Sequence, residues 1–219
     1  MGITILIKIN GMNFDFKLEP VVNVFNQKVK GYEILSSPHD LSINPESYFN
    51  SLSDEVLGMI FYEQLSFFCM ACYRHPALEK NLFINVPLNI LIKDNFIPSV
   101  NKYLHLIRLN IEIQYDYDIL RSQLLHRVRQ SLPYIVNIWV DDVDFKTEKK
   151  TIPLHGVGLK IDKHSFWKVY EERLEMNELS SFCPGCLIVE GVETVSHLEY
   201  LRGNNITLVQ GYYWPSRKL

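Results

Sequence analysis

Apolar residues recur along this chain in short runs, and the rhythm of those runs changes after about residue 35. Ile3 to Ile9 reads as a strand, and Asn10-Gly11 after it as a tight turn. Phe14 to Phe25 and Lys28 to Leu35 read as two strands joined at Asn26-Gln27, a hairpin. Beyond them, strands alternate with helices. Ser53 is placed to cap a helix with Asp54 and Glu55 in its first turn, running to about Cys72. Strands are predicted at Leu82 to Val86, Leu106 to Ile113, Ile135 to Val140, Val157 to Ile161, Leu187 to Val192 and Thr207 to Tyr212. Helices are predicted over roughly Asp116 to Gln130, Ser165 to Leu179 and Val195 to Arg202.

Short apolar strands separated by helices predict an α/β fold with a parallel sheet and helices outside it. Seven or eight strands in 219 residues, with no linker or repeat, favour one domain over 1–219 closed as a TIM-like (β/α)8 barrel. No Gly-rich phosphate fingerprint follows any strand, which weighs against an open doubly wound sheet. The 22 basic and 25 acidic residues leave a net charge of −3, too little positive field for non-specific nucleic-acid binding. No apolar run approaches the ~18 residues of a bilayer span. No basic segment precedes Ile3 to Ile7, so no signal peptide is read and a cytoplasmic protein is expected.

The four cysteines form two CxxC pairs, Cys69/Cys72 and Cys183/Cys186. A four-thiolate zinc site is conceivable, but the long separation and the apolar helical setting of Cys69/Cys72 favour reduced structural thiols. The informative polar residues lie elsewhere. Nearly every predicted strand ends in a polar group: Glu33, Asn85, Glu112, Asp141 with Asp142, Lys160 with Asp162, Glu190, and Gln210. Parallel barrel strands all open onto one mouth, where barrel active sites lie. Glu33, Glu112, Asp141, Asp142, Glu190 and Glu193 gathered there around Lys160 could not all stay ionised without cations. Oxygen donors of this kind, with the Asn85 amide, suit Mg²⁺ or Mn²⁺, and a paired-metal site suits phosphoryl chemistry.

These residues resemble the EAL domains, bacterial phosphodiesterases acting on cyclic di-GMP. Gly31-Tyr32-Glu33-Ile34-Leu35 is similar to their signature strand and Glu19-Pro20-Val21-Val22 to their first strand. Ile84-Asn85-Val86, Ile111-Glu112-Ile113, Val140-Asp141-Asp142 and Leu159-Lys160-Ile161-Asp162 follow in family order. Glu190-Gly191-Val192-Glu193-Thr194 and Val209-Gln210-Gly211-Tyr212 complete the series. The resemblance implies a barrel whose first strand runs antiparallel to the rest. It implies metal ligands at Glu33, Asn85, Glu112, Asp141 and Asp142, for two Mg²⁺ or Mn²⁺ ions. Lys160 would help hold the attacking water and Glu190 would serve as general base, giving linear pGpG. Gln210 and Leu35 would line the pocket, and Glu193 would anchor the loop after the paired aspartates.

Three positions depart from the family pattern. Ser37 stands where an Arg usually reaches a substrate phosphate, a loss of about 1.5–3 kcal/mol of binding. The loop after the aspartates reads Val143-Asp144-Phe145-Lys146-Thr147, without the family's glycines. Glu19 replaces a Gln and adds a negative charge near the pocket. The altered loop and the poor helix that follows predict a monomer or an unusual dimer. Trp139 and Trp167 are expected as outer packing against helices, and Tyr212-Tyr213-Trp214 as core packing or a stack on a guanine. Two readings remain open: an active cyclic di-GMP phosphodiesterase, and a degenerate relative that binds the dinucleotide or a regulatory protein without turnover.

Overall fold

The computed structural model describes residues 7–114, 130, 132–144, 157–176 and 187–218. The first two strands, β1 (Ile7–Ile9) and β2 (Met12–Asn23), form a hairpin across Asn10-Gly11. Both turn residues have positive φ, 47° and 83°, the conformation that twists a two-residue turn with its strands. β3 (Val29–Pro38) pairs antiparallel to β2 over almost its whole length. The chain then adds β4 (Asn81–Asn85), β5 (Arg108–Gln114), β6 (Val136–Val143), β7 (Val157–Ile161), β8 (Leu187–Val189) and β9 (Leu208–Val209). Each of these is parallel to the strand before it. β9 returns to pair antiparallel with β2, at Val22 with Val209, and closes an eight-stranded barrel of β2 to β9. β10 (Arg217–Lys218) pairs with β2 on the edge opposite β3, as β1 and β9 do.

Side-chain parity divides each strand between two environments. Outward residues such as Leu82, Ile84, Leu109, Ile111, Ile138, Leu159 and Val189 join the main core beneath the helices. Among the described residues the helices are α1 (Pro45–Asn50), α2 (Asp54–Arg74), α3 (Leu88–Leu91), α4 (Phe96–Asn101), α5 (Lys163–Glu171) and α6 (Val195–Gly203). The cap on α2 is the expected one, with Ser53 Oγ accepting from the Val56 N–H. The sequence pattern did not reveal α1, α3 and α4, which have only four to six residues each, too short for a helical period to register. Asn44-Pro45 nevertheless carries a start signal for α1: the Asn44 side chain accepts from the Ser47 N–H, and Pro45 opens the helix. Residues 116–129 of the predicted helix over Asp116 to Gln130, Cys183/Cys186 and residues 145–147 fall outside the described residues.

Two expectations are corrected here. α2 is long and apolar enough, by length and composition, to cross a bilayer, whereas no such stretch was read in the sequence. Over half of its most apolar window is buried, and Phe61, Leu65, Phe68 and Cys72 pack into the core beside the barrel. Trp139, expected among the outer packing residues, instead points into the barrel. With Val21, Phe83 and Ile188 it forms a separate interior cluster, drawn from β2, β4, β6 and β8. Four side chains from alternate strands make one barrel layer.

The layer below is made of small and polar groups. A Cβ added to Gly158 would lie 2.3 Å from the Trp139 ring, and one added to Gly31 would lie 2.8 Å from the Phe83 ring. The absent side chains give these two rings their room. Buried Asn110 satisfies itself completely between them. Its Nδ2 donates to Asn81 Oδ1 and the Leu82 carbonyl, and its Oδ1 accepts from Asn137 Nδ2 and Trp139 Nε1.

Candidate active site

Two residues beyond these two interior layers, the inward positions change character around the whole barrel. Glu33, Glu112 and Lys160 come from β3, β5 and β7, and Gln210 follows β9. Above them stand Glu19, Asn85, Asp141 and Glu190, on or just beyond β2, β4, β6 and β8. The spacing of two residues explains the strand-end pattern: Phe83 with Asn85, Asn110 with Glu112, Trp139 with Asp141, Ile188 with Glu190.

Strict alternation would send Asp142 away from the mouth that Asp141 faces. A bulge prevents this. Val140 pairs with Leu159 and Val143 with Ile161, so two residues of β6 oppose one of β7. Asp142 takes φ 56° there, a left-handed conformation that Asp tolerates better than most residues. Both aspartates therefore face the same mouth. Carboxylate oxygens of Glu33, Glu112 and Asp141 lie within 4.8 Å of one another, and so do those of Asp141, Asp142 and Glu190. The two triads share Asp141.

Lys160, buried at the centre, binds the set together. Its Nζ lies 2.7 Å from Glu190 Oε1, 2.9 Å from Glu112 Oε1, 3.1 Å from Asp141 Oδ1 and 3.2 Å from Glu33 Oε2. Gln210 Nε2 donates to Glu33 Oε2 at 2.6 Å. Asn85 Nδ2 lies 3.2 Å from Glu33 Oε1 and 3.3 Å from Glu112 Oε2. Turning that amide over presents its oxygen instead.

One ammonium cannot balance five carboxylates, and their acidities record the deficit. Burial, then the Glu33 charge, pushes the Glu112 carboxyl well above the usual carboxylate range, against the pull of Lys160. Burial raises Asp141 as well, opposed by Lys160 and reinforced by Glu33. Asp142 is raised by partial loss of hydration and by Asp141 and Asp162. Glu190 is pushed up to about 8, first by burial, with Lys160 opposing and Asp141 and Glu33 adding to the rise. Lys160 would lose its proton more easily through burial alone, but Glu112, Glu33, Glu190 and Asp141 hold it well above its ordinary value. Such a surplus of oxygen anions fits hard divalent cations, and no His or Cys belongs to either triad.

The remaining expected residues take varied places. Asp162 caps α5 by accepting from the His164 and Ser165 N–H groups, so its first task is structural. Leu35 lines a cavity of about 550 Å³ that opens from Asn85 and Glu112 toward Ser36, Phe49 and Gln64. Glu19 is ion-paired with Lys17 at 2.7 Å and touches Gln210 at 3.5 Å. Glu193 is exposed, and the loop it was expected to anchor lies mostly outside the described residues. Tyr212 and Tyr213 are exposed, whereas Trp214 packs on the core. The sequence reading missed Gln64, whose buried amide donates to the Ile34 carbonyl and Ser36 Oγ and holds the far end of β3. It also missed Lys17. Its place on the inward parity of β2, two residues before Glu19, is the signal that would have found it.

Neither a family model nor a curated protein sequence matches this chain. Solved structures do. The EAL enzyme Bd1971, bound to cAMP and cyclic di-GMP, aligns over 91% of this chain and 60% of its own, at 15% identity and TM-score 0.69. The present chain therefore spans about three fifths of that protein's length. The PaMucR phosphodiesterase, in complex with c-di-GMP, aligns over 91% of this chain and 89% of its own, at 20% identity and TM-score 0.65. The Xanthomonas citri FimX EAL domain, in complex with c-di-GMP, aligns over 94% and 88%, at 14% identity and TM-score 0.70. With its antiparallel first strand, closed eight-stranded barrel and flanking helices, this chain has the fold of the EAL domains.

Proposed function

We propose that this chain is an EAL-type phosphodiesterase that hydrolyses cyclic di-GMP to linear pGpG. The observation that carries the reading is the pair of carboxylate triads sharing Asp141 around one buried lysine. Glu33, Asn85, Glu112, Asp141 and Asp142 would hold two Mg²⁺ or Mn²⁺ ions. When bound, such ions supply positive charge to a phosphodiester and lower the pKa of the water that attacks it.

The chain's own groups do the rest. Glu190 accepts the proton of the attacking water. Its raised pKa suits a base working near neutrality, and Lys160 at 2.7 Å fixes its carboxylate in place. The Lys160 charge also offsets the Glu112, Glu33 and Asp141 carboxylates, so an anionic ester meets less repulsion. Gln210 orients Glu33 from the opposite wall. The cavity beside Leu35 and Gln64 is open to a nucleoside.

A degenerate binding protein would be expected to have lost ligands, and the full set here favours turnover. The test is chromatography of the chain incubated with cyclic di-GMP and Mn²⁺ or Mg²⁺, beside Glu190→Gln. Metal-dependent pGpG from the parent, reduced at least about a hundred-fold in the variant, is expected. Bound but unconverted dinucleotide would instead favour a receptor without turnover, and no binding at all would overturn both.

A further inference from the structure

We propose that Lys17 is a substrate-binding residue that holds the non-reacting phosphate of the cyclic dinucleotide at the rim of the mouth. The inference rests on the phosphodiesterase reading and adds a residue to it. A cyclic dinucleotide carries two phosphate charges, and only one can sit at the carboxylate centre. The other must lie toward the rim, where Asp15 and Glu19 share the parity of Lys17 on β2.

The β2–β3 register points to where it goes. Glu19 stands opposite Glu33, Lys17 opposite Leu35, and Asp15 opposite Ser37. Opposed residues of an antiparallel pair share a face, and so do residues two apart. Lys17 therefore lies on the inward face with Glu19 and Glu33, next to Leu35, which lines the cavity. Across from it Leu35, and diagonal to it on the rim side Ser37, bring no charge of their own, while the inner diagonal neighbour is Glu33, already held by Lys160 and Gln210. The Asp15 carboxylate is already engaged by His39 Nδ1 at 2.8 Å.

Lys17 is also anchored and reachable. Its backbone is paired on both sides, to β3 and to β10. Its side chain is about one-third exposed and ends 2.7 Å from Glu19 Oε1. From there polar contacts continue through Gln210 to Glu33 and Lys160. A phosphate entering the rim would compete with Glu19 for the ammonium, and Gln210 would remain as a partner for the Glu19 carboxylate.

The bland competing role is that Lys17 only neutralises Glu19. A double-variant cycle separates the two. Steady-state hydrolysis of cyclic di-GMP with Mn²⁺ would be compared for the parent, Lys17→Met, Lys17→Arg, Glu19→Gln and the Lys17→Met/Glu19→Gln pair. The same series would be titrated with the dinucleotide in a Glu190→Gln background. Lys17→Met is expected to raise KM and the dissociation constant about ten-fold or more, with kcat little changed, the loss of one charge-assisted hydrogen bond. Lys17→Arg should restore both constants. Glu19→Gln alone should tighten binding, and the double variant should stay weak. A double variant that returns to parental affinity, or a Lys17→Met that matches the parent, would overturn the assignment while leaving the phosphodiesterase reading intact. A parent chain that neither binds nor converts cyclic di-GMP would overturn that reading, and the Lys17 role with it.

Discussion

At the scale of single residues, the site is defined by a mismatch of charge. Glu112, Asp141, Asp142 and Glu190 all bind protons more tightly in the fold than carboxyl groups ordinarily do. Between the ordinary carboxylate range and about 8, the folded chain holds a Glu190 proton that the unfolded chain has released, and the raised Glu112, Asp141 and Asp142 act in the same direction. Stability then falls as pH rises through that window. Lys160, whose pKa is also raised, acts in the same direction, but its contribution is lost only above the ordinary lysine range. The metal-free chain should therefore melt several degrees lower at about pH 8 than at about pH 5.5. Mn²⁺ should raise the melting temperature more at the higher pH, where it competes with fewer protons. Scanning calorimetry with and without Mn²⁺ checks both; a metal-free melting temperature that climbs steadily from about pH 5.5 to 8 would contradict the acidity assigned to this cluster.

At the scale of elements, the bulge in β6 and the layers inside the barrel decide what reaches the mouth. Gly158 is the sensitive point of the interior, because any side chain there meets the Trp139 ring. Gly158→Ala should cost about 2 kcal/mol or more, lowering the melting temperature by about 4–8 °C. An unchanged melting temperature would mean that Trp139 turns aside freely. The sequence made much of this layer legible and misread one member. Strand-end polar residues were visible because each interrupts an apolar run. Trp139 was not, because Ile138 and Val140 on either side hide its parity. Asp141 two positions later would have revealed it, since residues two apart on a strand share a face. The bulge at Asp142 left no local mark, because two adjacent aspartates fit either a bulged strand or the start of a loop. The short helices α1, α3 and α4 went unseen for want of a full period.

At the scale of the whole molecule, closure is what turns scattered strand ends into one site. β2 pairs with both β3 and β9, bringing Glu19, Glu33 and Gln210 together from opposite ends of the chain. The antiparallel first strand was legible as a hairpin, and the remaining strands as an alternating series. What the sequence could not supply was the depth ordering of the acids, from fully buried Glu112 to exposed Asp142. That ordering depends on barrel curvature and on the bulge rather than on spacing. The expectation of a monomer or unusual dimer rests on residues 145–156, which lie outside the described residues. The two triads sharing Asp141 are tested most directly by counting ions. Calorimetric titration of Mn²⁺ into the metal-free chain should find two ions per chain, and Asp142→Asn, which keeps the left-handed turn, should retain one. A folded parent chain that takes up no Mn²⁺ would contradict the two-cation centre.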